Sequence, residues 1–273
     1  PKPSSAASDV YKRQDDIPAD LEPASKTQKA PGIYLLGNFQ VIDRTGTDIT
    51  AEFSSILKQL LILIILYTAK NGKGVSNTLL KEIFWYDKSE QSVRNNRNVN
   101  MRKLRKLLEG VGGFEITTDN SYWKMNYTRE ESVCDWAQAV MLLNEVQKET
   151  AEPANILPKI VHIASQGLLL PNSRYEWLDP FKAAYSDTVV TALGKLREDT
   201  IFSADFKIQL QLSDCILLFD SLDEESMRIK CLSLVALGRI GSAKNCFDAF
   251  LCEYRQVMGE EYPDSFEKFI QPA

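Results

Sequence analysis

The spacing of apolar positions changes several times along the chain, and each change predicts an element. Ile33 to Ile42, IYLLGNFQVI, is rich in β-formers around Gly37, and Asp43 to Asp48 carries turn chemistry around Gly46, so a small antiparallel sheet is expected first. Ser54 to Lys70 is apolar nearly all round through LLILIILY, which predicts a helix buried on most sides and closed by Asn71-Gly72-Lys73-Gly74. Ser76 is placed to cap a second helix running to about Trp85, with Val75 and Leu80 as its hydrophobic staple. A third helix, Gln91 to Gly110, puts Val93, Leu104, Leu107, Leu108 and Val111 on one side with Met101 at the edge. Phe114 to Thr118 and Tyr122 to Tyr127 then form two short β runs joined by Asp119-Asn120-Ser121, a hairpin signal.

Beyond residue 130 the spacing is helical throughout. Stripes at three to four positions cover Val133 to Val146, Ile156 to Ser165, Trp177 to Leu196, Phe206 to Phe219, Met227 to Leu237 and Ala243 to Met258. Short breaks between them predict antiparallel neighbours. Gly238, Ala243 and Phe247 keep the G-x4-A-x3-F spacing of a tetratricopeptide unit. Residues 1–31 show no sustained apolar period and are expected to be disordered; PKPSSAASDVYKRQ also resembles translated library adaptor, a non-native leader. The expected domains are therefore 1–31 as leader, 32–130 as one domain and 131–273 as a second.

Charge sharpens the division. Residues 32–130 carry a net +4 and residues 131–273 a net −9, within a chain of net −5. The third helix alone holds six Lys or Arg against one acid, Glu109. Its outer face collects Arg94, Asn95, Asn98, Arg102, Arg105 and Lys106, with Lys103 at the margin, whereas Arg97 falls toward the apolar side. Guanidinium and amide groups suit base edges, and ammonium groups suit phosphates. Strands, three helices and a hairpin, in that order, are the layout of a winged helix-turn-helix, in which the third helix projects into a major groove and the hairpin reaches the neighbouring backbone. Arg94, Asn95, Asn98 and Arg102 are the candidates for groove contacts, and Lys103, Arg105, Lys106 and the hairpin's Lys124 for phosphates. Tyr122 or Trp123 is expected to pack the hairpin onto that helix.

Catalytic chemistry is not in view. His162 is the only histidine, and its setting reads as core or surface, not as a base. The five cysteines form no C-x-x-C pair and read as reduced core thiols, so neither a metal site nor any other cofactor is expected. There is no phosphate loop, nucleophile elbow or dinucleotide turn, and the acid run Asp223-Glu224-Glu225 reads as helix N-terminal charge. The longest apolar run, Leu60 to Tyr67, is too short to span a bilayer. The expectation is a cytoplasmic, non-enzymatic protein without membrane contact in this segment.

Leu35 to Val41 (LLGNFQV), LLILIILY, Val75-Ser76, Leu80 to Trp85, and Asn98-Val99-Asn100-Met101 leading into Leu104 to Leu108 resemble the winged-helix domain of bacterial response regulators, and more closely that of antibiotic-pathway regulatory proteins. Gly167 to Pro171 (GLLLP), Glu176-Trp177-Leu178, and Leu237-Gly238 through Ala243 to Tyr254 and Pro263 resemble the bacterial transcriptional activator domain that follows it in the same regulators. The asparagine-rich Asn95 to Asn98, Arg97 where that pattern often carries Leu, and Ser121 where a glycine commonly precedes the wing tyrosine are departures. The resemblance implies an α+β winged helix-turn-helix followed by an all-α tetratricopeptide-like helical-repeat domain. It also implies a sequence-specific transcriptional regulator that binds double-stranded DNA and forms the C-terminal part of a longer sensor-regulator. Its helical repeats would couple to that sensor, to a second copy in a homodimer or to RNA polymerase. The alternative is a protein-protein adaptor whose winged helix no longer binds DNA.

Overall fold

A computed structural model of the chain describes residues 29–128, 132–150 and 152–271; the leader expected over residues 1–31 lies almost wholly outside them. Strands β1 (Gly32–Tyr34) and β2 (Gln40–Ile42) pair antiparallel. The β-rich run is therefore broken in its middle, where Gly37 takes a left-handed φ of 79°. Helix α1 (Ser55–Asn71) follows, with Leu60 to Leu66 buried without interruption, as its all-round apolar sequence demands. Gly72 ends it in the left-handed conformation, donating its N–H to the Thr68 carbonyl.

Asn71 then shapes the sharp turn into β3 (Val75–Ser76): its Oδ1 accepts from the amides of Lys73 and Gly74. Helix α2 (Asn77–Phe84) starts on the Ser76 hydroxyl, which accepts from the Leu79 amide, and the stapling residues Val75 and Leu80 are both fully buried. Helix α3 (Glu90–Val111) is followed by the hairpin β4 (Phe114–Asp119) and β5 (Tyr122–Tyr127). The second sheet has the order β3-β5-β4, which puts β5 at its centre. At Gly74 a β-carbon would sit 2.0 Å from the Trp123 carbonyl oxygen, so only glycine lets the turn approach β5 this closely.

The region expected to be wholly helical opens with a strand. β6 (Val133–Cys134) pairs parallel with β1, completing a sheet of order β2-β1-β6, and only then does α4 (Asp135–Gln147) begin. Helices α5 (Pro153–Ser165), α6 (Asp179–Glu198), α7 (Phe206–Leu217), α8 (Glu224–Ala236) and α9 (Ile240–Met258) continue the chain, with a short α10 (Phe266–Phe269) that the spacing did not predict. Pro153, between the 133–146 and 156–165 stripes, occupies the first turn of α5, where its missing N–H costs nothing. Consecutive helices α6 to α9 pack in pairs. In the α8–α9 turn Gly238 has a φ of 75°, and Ala243 and Phe247 are buried.

The two halves share one core. Buried residues from Ile33 to Ile216 form a continuous apolar cluster, and a smaller one joins α8, α9 and α10 around Phe247, Phe250 and Phe269. The junction is also hydrogen-bonded. Leu36 bridges Leu169 antiparallel, Gly37 donates to the Leu168 carbonyl, and Leu170 donates to that of Leu35. LLGNF and GLLLP, more than a hundred residues apart, are thus partners in space. Of the cysteines expected in the core, Cys134, Cys215 and Cys231 are buried, Cys246 is half-buried and Cys252 is exposed on α9.

Candidate nucleic-acid interface

Helix α3 is held on three sides. Ser89 caps it, its hydroxyl accepting from the Ser92 amide, and Val93, Met101, Leu104, Leu108 and Val111 are buried in the shared core. Glu90 in its first turn pairs with Lys81 of α2. The opposite face is open: Arg94, Asn95, Asn98, Arg102, Lys103, Arg105 and Lys106 are all exposed. No acid lies between Gln91 and Leu108. Gln91 donates to the Asn95 side-chain oxygen at 3.2 Å, whereas Arg94, Asn98 and Arg102 make no hydrogen bond or ion pair among the described residues. Those three lie four residues apart and line one stripe of the helix.

Val99, next to Asn98 in the chain, is 54% exposed beside that stripe and was not among the expected contact residues. An exposed branched methyl pair on such a face suits the methyl group of thymine.

Arg105 has a different engagement. Its Nε and Nη2 donate to the Ile116 carbonyl of β4 at 3.0 and 2.8 Å, and its guanidinium lies 5.6 Å from the Trp123 ring centroid. Arg97 reaches the same indole, 5.9 Å from the centroid. Burial, and then the neighbouring Arg94, push the Arg97 guanidinium below the usual arginine range. Trp123, buried, donates its Nε1 to the Asn77 side-chain oxygen at 2.8 Å. Of the two wing aromatics, Trp123 therefore packs the hairpin onto α3, and Tyr122 is exposed. Two arginines and one indole brace the wing.

The wing itself turns on Asn120 and Ser121, with φ of 45° and 69°, while Asp119 pairs with Tyr122 across the strands. That is a two-residue hairpin turn of the I′ kind. Glu115 and Asp119 are exposed, and Lys124 is the single cation between 114 and 128. Lys103 and Lys106 line a cleft on the other side of α3, together with Asp43 and Glu52. The Arg94–Asn98–Arg102 stripe is therefore cationic, with Lys103 and Lys106 at its flank and a near-neutral wing beside it. His162 is exposed, its Nε2 3.3 Å from the Gln166 side-chain nitrogen. Among the described residues no group of three or more His, Cys, Asp or Glu could hold a metal ion, and no helix is long and apolar enough to cross a membrane.

No family model and no curated protein matches the chain. A solved structure of Mycobacterium tuberculosis EmbR in complex with a low affinity phosphopeptide is similar, with a TM-score of 0.54 and 14% identity. The match covers 88% of this chain and 63% of that one, so this chain spans less than two thirds of that protein's length. At that identity the likeness is one of fold, and it agrees with a small mixed α/β head followed by a helical region.

Proposed function

We propose that this chain is a transcriptional regulator that binds duplex DNA with the outer face of α3. The observation that carries the reading is the acid-free stretch from Gln91 to Leu108. It presents Arg94, Asn98 and Arg102 unengaged on a helix whose inner face is fixed in the core. Recognition helices combine such fork-shaped and amide groups with rigid support from behind. Asn95 and Val99 complete the groove-facing set, Lys103, Lys106 and Lys124 meet phosphates, and Arg105 divides its donors between the wing and the backbone. The helical half transmits to an upstream sensor, a second copy or RNA polymerase. The sequence motifs shared with antibiotic-pathway regulatory proteins support the same assignment.

The test is selection of bound sequences from random duplex DNA by residues 31–273, at two salt concentrations, for the parent and Arg102→Glu. An enriched motif lost in the variant is expected. Absence of binding at low salt would overturn the reading. The near-neutral wing, with Glu115 and Asp119 exposed, favours one second reading, an adaptor that docks protein through the winged fold. In that case reversing Arg102 and Lys106 to Glu abolishes partner capture with no DNA affinity to lose.

A further inference from the structure

Arg97 sits off the outer stripe of α3, half-buried at the junction with the wing, its guanidinium 5.9 Å from the Trp123 ring centroid. Arg105 flanks the same indole, but the two arginines differ in what they hold. Arg105 donates from Nε and Nη2 to the Ile116 carbonyl, whereas Arg97 makes no hydrogen bond or ion pair among the described residues. Its Nε is closed to solvent and unpaired, and its terminal nitrogens, unpaired as well, are not closed off, so the fork opens to the surface. Glu90, the acid whose charge reaches it, is already paired with Lys81 of α2.

The surroundings of that fork lack an anion. Arg94 stands one turn earlier, and its charge opposes that of Arg97. Like charges held together on a rigid helix are a cost that an anion between them removes. With α3 in a major groove and the hairpin over the neighbouring backbone, the DNA strand that separates the two must cross the seam between helix and wing. Arg97 and Trp123 form that seam. The wing brings little positive charge of its own, since Lys124 is its single cation and Glu115 and Asp119 are exposed.

We propose that Arg97 binds a backbone phosphate of the duplex at this seam, its open fork donating to two phosphate oxygens. The Trp123 indole, fixed by its 2.8 Å bond to Asn77, holds the guanidinium in place. The two arginines on one ring thus divide their work: Arg105 ties the wing to α3, and Arg97 ties both to DNA. A leucine here would pack against the wing but could not take the phosphate. The inference rests on the reading that α3 binds duplex DNA, and adds to it a backbone contact apart from the lysines at the flank.

The test titrates the full chain and its variants with the selected duplex and a scrambled one, at about 0.05 and 0.2 M salt. Arg97→Leu is expected to weaken both duplexes by the same factor, and that factor should shrink about 3.5-fold over this range, the share of one phosphate. Arg97→Lys, which keeps the charge, should keep the salt slope. Neutral methylphosphonates placed one at a time along the selected duplex should reveal one position that weakens the parent and leaves Arg97→Leu unaffected. A brace without a phosphate contact shows no such position, so the scan reads the contact whatever the variant does to the thermal midpoint. The proposal alone is overturned if Arg102→Ala loses affinity while Arg97→Leu keeps the parent's salt slope, or if every methylphosphonate weakens parent and Arg97→Leu alike. A parent that binds no duplex at low salt overturns the DNA reading itself.

Discussion

The carboxylate of Asp135 accepts the backbone amide of Leu35, a hundred residues earlier in the chain, at 2.8 Å. It also accepts those of Leu36 at 2.9 Å and Trp136 at 2.6 Å. One buried acid thereby fixes the start of α4 and the end of β1 to the same point. Its side chain supplies acceptors that strands of three and two residues cannot.

That position has a pH signature. Burial pushes the Asp135 carboxyl up to about 6, against the opposing pull of the Leu35, Leu36 and Trp136 amides and Lys29. The folded chain therefore holds this proton more tightly than the unfolded chain, where the value is about 4. The group's contribution to stability is full below about pH 4 and is lost as pH rises through about 6, a change of roughly 2–3 kcal/mol. Urea unfolding of the parent and Asp135→Asn should show a stability gap that narrows from pH 4.5 to 7.5. A constant gap would mean that the proton is not linked to folding.

Arg105 should behave as a brace before it behaves as a charge. Arg105→Lys keeps the cation but loses the fork that grips the Ile116 carbonyl, and should cost about 1–2 kcal/mol of thermal stability. Its effect on the salt dependence of DNA binding should be small. Unchanged stability in this variant would assign the side chain to phosphate alone.

Ser121 adopts a φ of 69°, which an L-residue reaches at a cost of about 1–2 kcal/mol. Ser121→Gly creates Asn-Gly, the preferred pair for this turn, and should stabilise the protein by about 1 kcal/mol. Calorimetry on the two proteins reads this directly, and a lower midpoint for the glycine variant would contradict it.

Arg102 and Lys106 should differ in kind. Truncating Arg102 to Ala is expected to cost about 1–3 kcal/mol on the selected sequence and to relax preference there. Lys106→Ala should weaken all sequences alike and reduce the salt slope by about one unit. Matching losses on every duplex for both variants would remove the distinction between reading and positioning.

The helices were legible because their apolar spacing is long and regular. α1 and α3 begin and end within one residue of the expected bounds, and Ser76 caps α2 as its type and place suggest. Short features carried no such rhythm. Val133-Cys134 looks like the first turn of a helical stripe, yet it is a strand, because its partner Gly32-Ile33 lies a hundred residues away. The helical wheel gave Arg105 its outward direction but could not give the Ile116 carbonyl, which a long side chain reaches by bending. Arg97, anomalous on the apolar side of the wheel, has its reason in the Trp123 ring. α10 has only four residues, although the aromatic density around Phe247, Phe250 and Tyr262 required something to cover it.

The pairing of Leu35-Leu36-Gly37 with Leu168-Leu169-Leu170 orders events during synthesis. A ribosome adding about 5–20 residues per second needs roughly 7–27 s to pass from the first segment to the second. β6 and the Asp135 carboxylate emerge about a hundred residues after Leu35, so the α/β head cannot complete its first sheet when its own residues emerge. The head becomes final only after the helical region has begun to form: a stop before residue 133 leaves β1 without β6 and the Asp135 carboxylate, and one between 136 and 167 still removes the backbone bonds to Leu168 and Leu170.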